Sequence, residues 1–328
     1  MNTINTVTVI LPIRNEAAFI RTSLGCVLRQ DYPHHLLQVL VADGMSTDNT
    51  RDIVTDTAST CPDVAVTVLD NPKKIVPTAF NIALAQATGD MVMLVSGHCE
   101  LAPNYVKQCV HAMQATGADN VGGRMNSVGS TPIARAIALA TSSPFGVGNA
   151  RYRFDTTPGW VDTVYLGAYR RATLDRIGGY DEELVRNQDD ELNFRLIQAG
   201  GKIWFDPSIK STYHSRASLA KLGSQYFQYG QYKVLVMKKR GGVASWRHLV
   251  PVLFVVALTL SVELGLIVRS PLIMVSVGLP YLVANMLASI WTSRKQVKLF
   301  PYLPIAFALL HFAYGLGWLS GFWKWRGR

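Results

Sequence analysis

The chain has 328 residues, enough for one full α/β domain and a further module. Hydrophobic residues make up 49% and charged residues only 16%, against about a quarter in a typical soluble domain; the deficit lies in the last third and excludes a wholly soluble protein. The net charge of +10 suits an acidic partner: a phosphorylated substrate, an anionic lipid surface or a nucleic acid. Cys26, Cys61, Cys99 and Cys109 form no CxxC pair and no zinc spacing, so free thiols in a reducing compartment are expected.

The first part alternates strand and helix patterns. The N-terminal run has no basic region and is only strand-length, so it does not read as a signal peptide and the first domain is expected in the cytoplasm. Val7 to Pro12 predicts a strand and Glu16 to Gln30 a helix. Gln38 to Ala42 predicts a second strand, followed by a helix from Asp48 to Ala58 with Ser46 or Thr47 as N-cap. Val64 to Leu69, Thr78 to Ala87, Met91 to Val95 and Pro103 to Ala115 continue the alternation. Near-continuous apolar strands between helices predict a mostly parallel sheet covered on both faces. Ligands of such sheets bind beyond the carboxyl ends of the strands, where Asp43 and Ser96-Gly97-His98 fall.

From Asn120 to His214 the chain is richer in glycine and less regular, and its loops either shape a second substrate site or simply turn the chain. Ala217 to Arg240 predicts a helix, with Tyr226, Phe227, Tyr229 and Tyr232 before Lys238-Lys239-Arg240. That mix fits a membrane interface, a docking helix, or both. His248 to Val268, Pro271 to Trp291 and Leu299 to Trp323 are each near the ~20 residues that span a bilayer. Basic clusters before the first stretch and after the second suit one, cytoplasmic, side. Three crossings are expected, although they put the basic end Lys324-Trp-Arg-Gly-Arg328 outside: either the charge rule is broken here or the third stretch, interrupted by Pro301 and Pro304, does not cross fully. Glu263 within the first stretch is costly unless partnered or near the interface.

Three motifs carry chemistry. Asp43-Gly-Met-Ser-Thr-Asp48 puts a carboxylate at a strand end, where it either accepts a hydrogen bond from a base or sugar or serves the turn. His98, beside a Ser-Gly turn, is a candidate metal ligand or diphosphate contact, or a structural histidine. Gln188-Asp189-Asp190-Glu191 opens a helix; the dipole favours acids there, but three exceed what a cap needs, and one suits a general base.

The ordered set Leu11-Pro-Ile-Arg-Asn-Glu16, Asp43 to Asp48, Gly89-Asp90, Leu166-Gly-Ala-Tyr-Arg-Arg171, Gly178-Gly-Tyr-Asp-Glu182 and Arg186-Asn-Gln-Asp-Asp-Glu-Leu-Asn193 resembles the family 2 inverting glycosyltransferases, in particular the succinoglycan-biosynthesis type with a C-terminal membrane tail. Each motif alone is weak; their order and spacing over Val7 to Lys233 are specific. The resemblance implies a GT-A nucleotide-sugar-binding domain over 1–215, an amphipathic interfacial region over 216–246 and a membrane domain over 247–328. It implies that Pro12 and Glu16 line a nucleotide pocket and that Asp43 contacts the base. The family's metal motif falls on Ser96-Gly97-His98, and its catalytic base on Asp189, beside Asp190. Gln228 falls in the element that closes over the donor in related enzymes, but the Arg-Trp found there in processive synthases is absent. Ser96 in place of a carboxylate makes a poorer site for a hard cation, and Arg170, Arg171 and Lys73 are candidates to share the neutralisation of diphosphate.

The implied reaction moves a sugar from a nucleoside-diphosphate donor, expected to be a UDP-hexose, to a saccharide on an isoprenoid diphosphate. Asp189 serves as base, and a Mg2+ or Mn2+ ion near His98 meets the leaving charge. The expected location is the inner membrane, multi-pass. A non-catalytic membrane scaffold with a weakened metal site is the alternative, motivated by Ser96 and opposed by the intact acidic segment. A nucleic-acid partner is not expected, because the basic residues cluster beside the apolar stretches and no nucleic-acid motif occurs.

Overall fold

The computed structural model describes residues 4–215, 218–242 and 245–327. The chain forms two compact units. The first contains the residues up to Asn126 and Arg151–His214; the second contains Ser127–Ala150 and the residues from Ser215 onward.

In chain order the elements are β1 (Val7–Ile13), α1 (Ile20–Leu28), β2 (Leu37–Asp43), α2 (Thr50–Ser59), β3 (Ala65–Asp70), α3 (Val76–Leu84), β4 (Met91–Leu94), β5 (Cys99–Leu101), α4 (Tyr105–Thr116) and β6 (Asn120–Val128). Next come α5 (Pro132–Thr141) and α6 (Pro144–Val147), which belong to the second unit, then β7 (Gly159–Val161), β8 (Tyr165–Arg170), α7 (Arg171–Ile177), α8 (Gln188–Gln198) and β9 (Ile203–His214). The second unit continues with α9 (Leu219–Arg240), α10 (Val250–Val268), α11 (Pro271–Val275), α12 (Gly278–Ser293) and α13 (Leu303–Lys324).

The sheet order is β3-β2-β1-β4-β8-β6-β9-β5, with β7 on β9. β3, β2, β1 and β4 are parallel, as the alternating pattern requires. β8 then pairs antiparallel with β4 and β6, and β5 and β7 pair antiparallel with β9, so the sheet is mixed. The glycine-rich middle of the sequence supplies this antiparallel half, which periodicity does not reveal in such short or bulged strands. Two clusters cover the sheet. One packs α1 and α4 on Val9, Leu11, Val39 and Val41. The other packs α3 and α8 on Ile10, Leu40, Val92 and Tyr169. Alternate residues of each strand thus serve opposite faces.

The boundary expected at 215 misses the segment 127–150, which folds with the C-terminal unit. Thr131 caps α5 by accepting from the Ala134 amide at 3.1 Å, and Pro132 stands in its first turn. Ala136, Ile137 and Ala140 of α5 are buried with Leu222 of α9 and Leu303, Phe307 and Leu310 of α13. Ala217, where the aromatic helix is expected to begin, lies outside the described residues; α9 starts at Leu219, capped by Ser218, and ends at Gly241, whose φ of 68° suits glycine. Among the described residues, three helical segments are long and apolar enough to cross a membrane: Trp246–Val268, Pro271–Ser293 and Val297–Lys324.

Candidate active site

The carboxyl ends of β1, β2 and β4 bring the first two motifs together. Asn15, in a left-handed conformation (φ 52°), is the link. Its amide donates to Ser46 Oγ at 2.9 Å, and its Oδ1 accepts from the Thr47 amide at 2.9 Å. Next to it, the Glu16 amide donates to Thr50 Oγ1 at 2.8 Å. The loops after β1 and β2 therefore form one unit, and the Glu16 side chain leaves it toward β4.

There Glu16 Oε1 lies 3.1 Å from His98 Nδ1. Ser96 Oγ lies 3.3 Å from the ring nitrogens of His98. Gly97 makes this approach possible: a Cβ at that position would meet Glu16 Cγ and Ile13 Cγ2, each at 3.1 Å. Ser23 of α1 secures the turn by donating to the Gly97 carbonyl at 2.8 Å. Glu16 and His98 are both partly exposed, so a carboxylate, an imidazole and a hydroxyl converge at an accessible point. Pro12 lies one strand away in register with Ala42 and is half-buried.

Asp43 serves the turn, one of the two roles open to it from the sequence. Its side chain is fully buried, and its carboxylate accepts from the Ser46 amide at 3.1 Å, from Ser46 Oγ, and from Arg51 Nε at 2.6 Å. Asp43 thus positions Ser46 and Arg51 and presents no open oxygen. Arg51, which the sequence reading missed, also binds Asp70; the hydrogen bonds it donates to Asp70 and Asp43 hold its guanidinium above its ordinary pKa. The available signal was its place in the first turn of α2, three residues after Asp48.

The acidic run at the start of α8 separates into distinct roles. Glu191 is fully buried and pairs with Arg195 through two contacts of 3.0 Å. Arg195 in turn donates to the carbonyls of Ile177, Gly178 and Gly179, latching the Gly178–Glu182 motif. Asn81 of α3 holds the same motif, accepting from the Tyr180 amide at 2.8 Å and donating to the Tyr180 carbonyl at 2.9 Å. One acid of the three is therefore structural. Asp189 is exposed and Asp190 partly exposed.

The direction of α8 fixes which edge Asp189 faces. Asn193, one turn on, accepts from Tyr169 Oη at 3.0 Å and from Asn120 Nδ2 at 2.8 Å. Beyond the helix, the Lys202 amide donates to Asp119 Oδ2 at the amino end of β4. α8 thus runs from the carboxyl edge to the amino edge, and Asp189 starts it on the side of Glu16 and His98. Its charge reaches the phenols of Tyr169 and Tyr180, which burial already pushes up.

Arg170 and Arg171 lie at the opposite edge, because β8 runs antiparallel to β4 and pairs Arg170 with Met91. Arg170 donates to the Ala118 and Met113 carbonyls, and Arg171 binds Asp175 and the Ala87 carbonyl. Neither is available to a diphosphate at the carboxyl edge, so the Arg171 assignment is corrected. Lys73 is on the right edge, following β3, but pairs with Glu182 at 2.8 Å. Gln228 lies on α9 in the second unit, where its Nε2 donates to Ser224 Oγ at 3.4 Å.

A mixed sheet with a carboxylate–histidine pair at the carboxyl end of its parallel half and acids at a nearby helix start is the frame on which comparison with known proteins decides. The family model for glycosyl transferase family 2 matches residues 8–178. The chain belongs to that family. It is a glycosyltransferase, and it is 31% identical to the succinoglycan biosynthesis protein ExoA of Rhizobium meliloti, over 96% of this chain and 93% of that protein. It is 26% identical, over 98% of both chains, to the dolichyl N-acetyl-alpha-D-glucosaminyl phosphate 3-beta-D-2,3-diacetamido-2,3-dideoxy-beta-D-glucuronosyltransferase of Methanococcus voltae. Among solved structures, the mannosyltransferase PcManGT of Pyrobaculum calidifontis, in complex with GDP-Man and Mn2+, superposes with a TM-score of 0.62 at 20% identity, covering 98% of this chain and 88% of that one. That likeness fixes the GT-A fold of the glycosyltransferase.

Proposed function

We propose that this glycosyltransferase transfers a sugar, with inversion, from a nucleoside-diphosphate sugar to a lipid-linked saccharide in cell-surface polysaccharide synthesis. The observation that carries the reading is the Glu16–His98 pair at the carboxyl edge of β1 and β4, with Asp189 starting α8 on the same edge. The succinoglycan protein and the dolichyl-linked transferase, both matched over nearly their whole length, support the acceptor class. The apolar C-terminal helices agree with it. A UDP-hexose is the proposed donor, with Pro12 and the Asp43–Ser46–Arg51 cluster at the base.

The donor set suits a divalent cation. Glu16 contributes the hard oxygen that Ser96 does not, and His98 and Ser96 complete the group. Glu16, His98 and Ser96 would hold a Mg2+ or Mn2+ ion, which would supply positive charge to the departing nucleoside diphosphate. Asp189 accepts the proton of the acceptor hydroxyl while that oxygen forms its bond to the anomeric carbon. The bond from that carbon to the phosphate oxygen breaks on the other face, and the electron pair leaves with the diphosphate. Asp190, next to the base and partly exposed, is the proposed contact to the donor. The buried Glu191–Arg195 pair keeps the start of α8 fixed against the Gly178–Glu182 loop.

A panel of nucleotide sugars screened by thermal shift, with and without Mn2+, tests the donor assignment, since a ligand of the native state raises the melting temperature. A metal-dependent rise with one UDP-hexose is expected. No rise with any nucleotide sugar would refute the reading and favour a non-catalytic scaffold.

A further inference from the structure

We propose that α13 does not cross the bilayer. Paired with α9, it lies in the membrane surface, and only α10 and the α11–α12 segment cross. The C-terminal end then returns to the membrane face on which α10 begins. This inference is independent of the donor and the reaction.

The first observation is where α13 touches the helical hairpin. Phe254, in the second turn of α10, and Tyr281, midway along the second apolar segment, stack at 4.3 Å, and both meet Phe312 of α13. Tyr281 Oη lies 3.0 Å from His311 Nδ1, and Asn285 Nδ2 donates to the Pro304 carbonyl at 3.1 Å. Gly315 packs on the Pro251 carbonyl and Val255, where a Cβ would collide. Among the described residues, these ring, hydrogen-bond and glycine contacts run from the middle of the hairpin to its open end. Toward the closed end, Leu264, Leu266, Ile267 and Leu272 are exposed, and Gly265 is filled by Met274 of the hairpin itself. A third spanning helix would cover one side of that half; α13 does not.

The second observation is what accompanies α13. Gly223 lies on Leu309, Gly230 on the Tyr314 carbonyl, Gly317 on the Phe227 carbonyl and Gly321 on the Gln231 carbonyl. Lys238 Nζ reaches the Trp325 carbonyl at 2.7 Å. The two helices therefore run in the same direction with backbones in contact, the small-residue packing known from membrane helices. From Gly223 to Lys238 this contact covers about 22 Å at the helical rise. α9 is not apolar over that length: it carries Ser224, Gln225, Gln228, Gln231 and the buried Lys233. Were α13 to span, it would carry these groups into hydrocarbon, which is costly even for partnered side chains.

The third observation is the composition of the open end. Trp246, Trp291 and Trp323 are 75%, 69% and 67% exposed. They stand at the start of the first crossing, the end of the second and the end of α13. Lys238–Arg240, Arg294–Lys295 and Lys324–Arg326 accompany them. Tryptophan with lysine and arginine marks the interface, and anionic headgroups are the matching partner. With two crossings, all three basic clusters lie on one face, and the charge conflict of the three-crossing topology disappears.

Cysteines introduced one at a time into the full chain test this, with Cys26→Ser and Cys61→Ser to remove the two partly exposed native thiols, the buried Cys99 and Cys109 retained, and a membrane-impermeant maleimide applied to intact cells and to permeabilised cells. Ser270→Cys is expected to report one face, and Lys295→Cys and Gly327→Cys the opposite one, with labelling of the latter two lost in intact cells. Gly327→Cys on the same face as Ser270→Cys, or all three on one face, would overturn the proposal. If a variant fails to accumulate, reporters fused before Met1 and after Arg328 of the full chain must report the same side; opposite sides would overturn it equally.

Discussion

Glu16 Oε1 lies 3.1 Å from His98 Nδ1, across 82 positions of sequence. The contact brings a carboxylate to the Ser96-Gly97-His98 turn, the metal site of the proposed function. It predicts that Glu16→Gln raises the Mn2+ concentration needed for half-maximal transfer by about 10–100-fold, the usual effect of disturbing a metal site's support. Ser96→Asp should act in the opposite direction and lower it. An unchanged Mn2+ titration in both variants would remove Glu16 and Ser96 from the metal site.

Glu191 is fully buried against Arg195, so removing one partner leaves an uncompensated charge. Glu191→Ala is expected to destabilise the catalytic unit by about 3–5 kcal/mol, measured by denaturant unfolding of the detergent-solubilised protein. Asp189→Asn, at an exposed position two residues earlier, should leave unfolding unchanged. Equal losses in the two variants would contradict the division of roles within the acidic run.

Much of this was legible in the sequence. β1 to β4 are parallel strands of apolar, β-branched residues, so the edge that holds Asp43 and His98 followed from pattern, while Glu16 came from the family resemblance. The limits have physical causes. The antiparallel register of β8 carries Arg171 to the far edge, and a one-dimensional motif does not reveal direction. Asp43 reads as a strand-end acid that either meets a base or serves the turn, and the pattern does not reveal that Arg51 folds back over it. The placement of α5 with the C-terminal unit depends on long-range burial of Ile137 against Phe307 and Leu310, which no local window contains.

Glu182 gives a pH prediction. The Lys73 ammonium, followed by the Asn81 amide, holds its carboxyl below the ordinary carboxylate range. A depressed folded pKa stabilises above the unfolded value of about 4.3, and that contribution is lost as pH falls through the folded value. Glu182→Gln should therefore lower the melting temperature at pH 7, and the gap to the parent protein should close on acidification below pH ~4. A gap that stays constant down to pH ~3 would show that the ion pair contributes nothing to folding.

The central claim is that Asp189 is the base of a metal-assisted sugar transfer. Asp189→Asn removes the proton acceptor with little change of shape, and a general base contributes about 10²–10⁴ in rate. Transfer and donor binding should be measured on the same purified variant. The account predicts a loss of transfer of that size with donor affinity retained. Near-normal transfer by Asp189→Asn would contradict it.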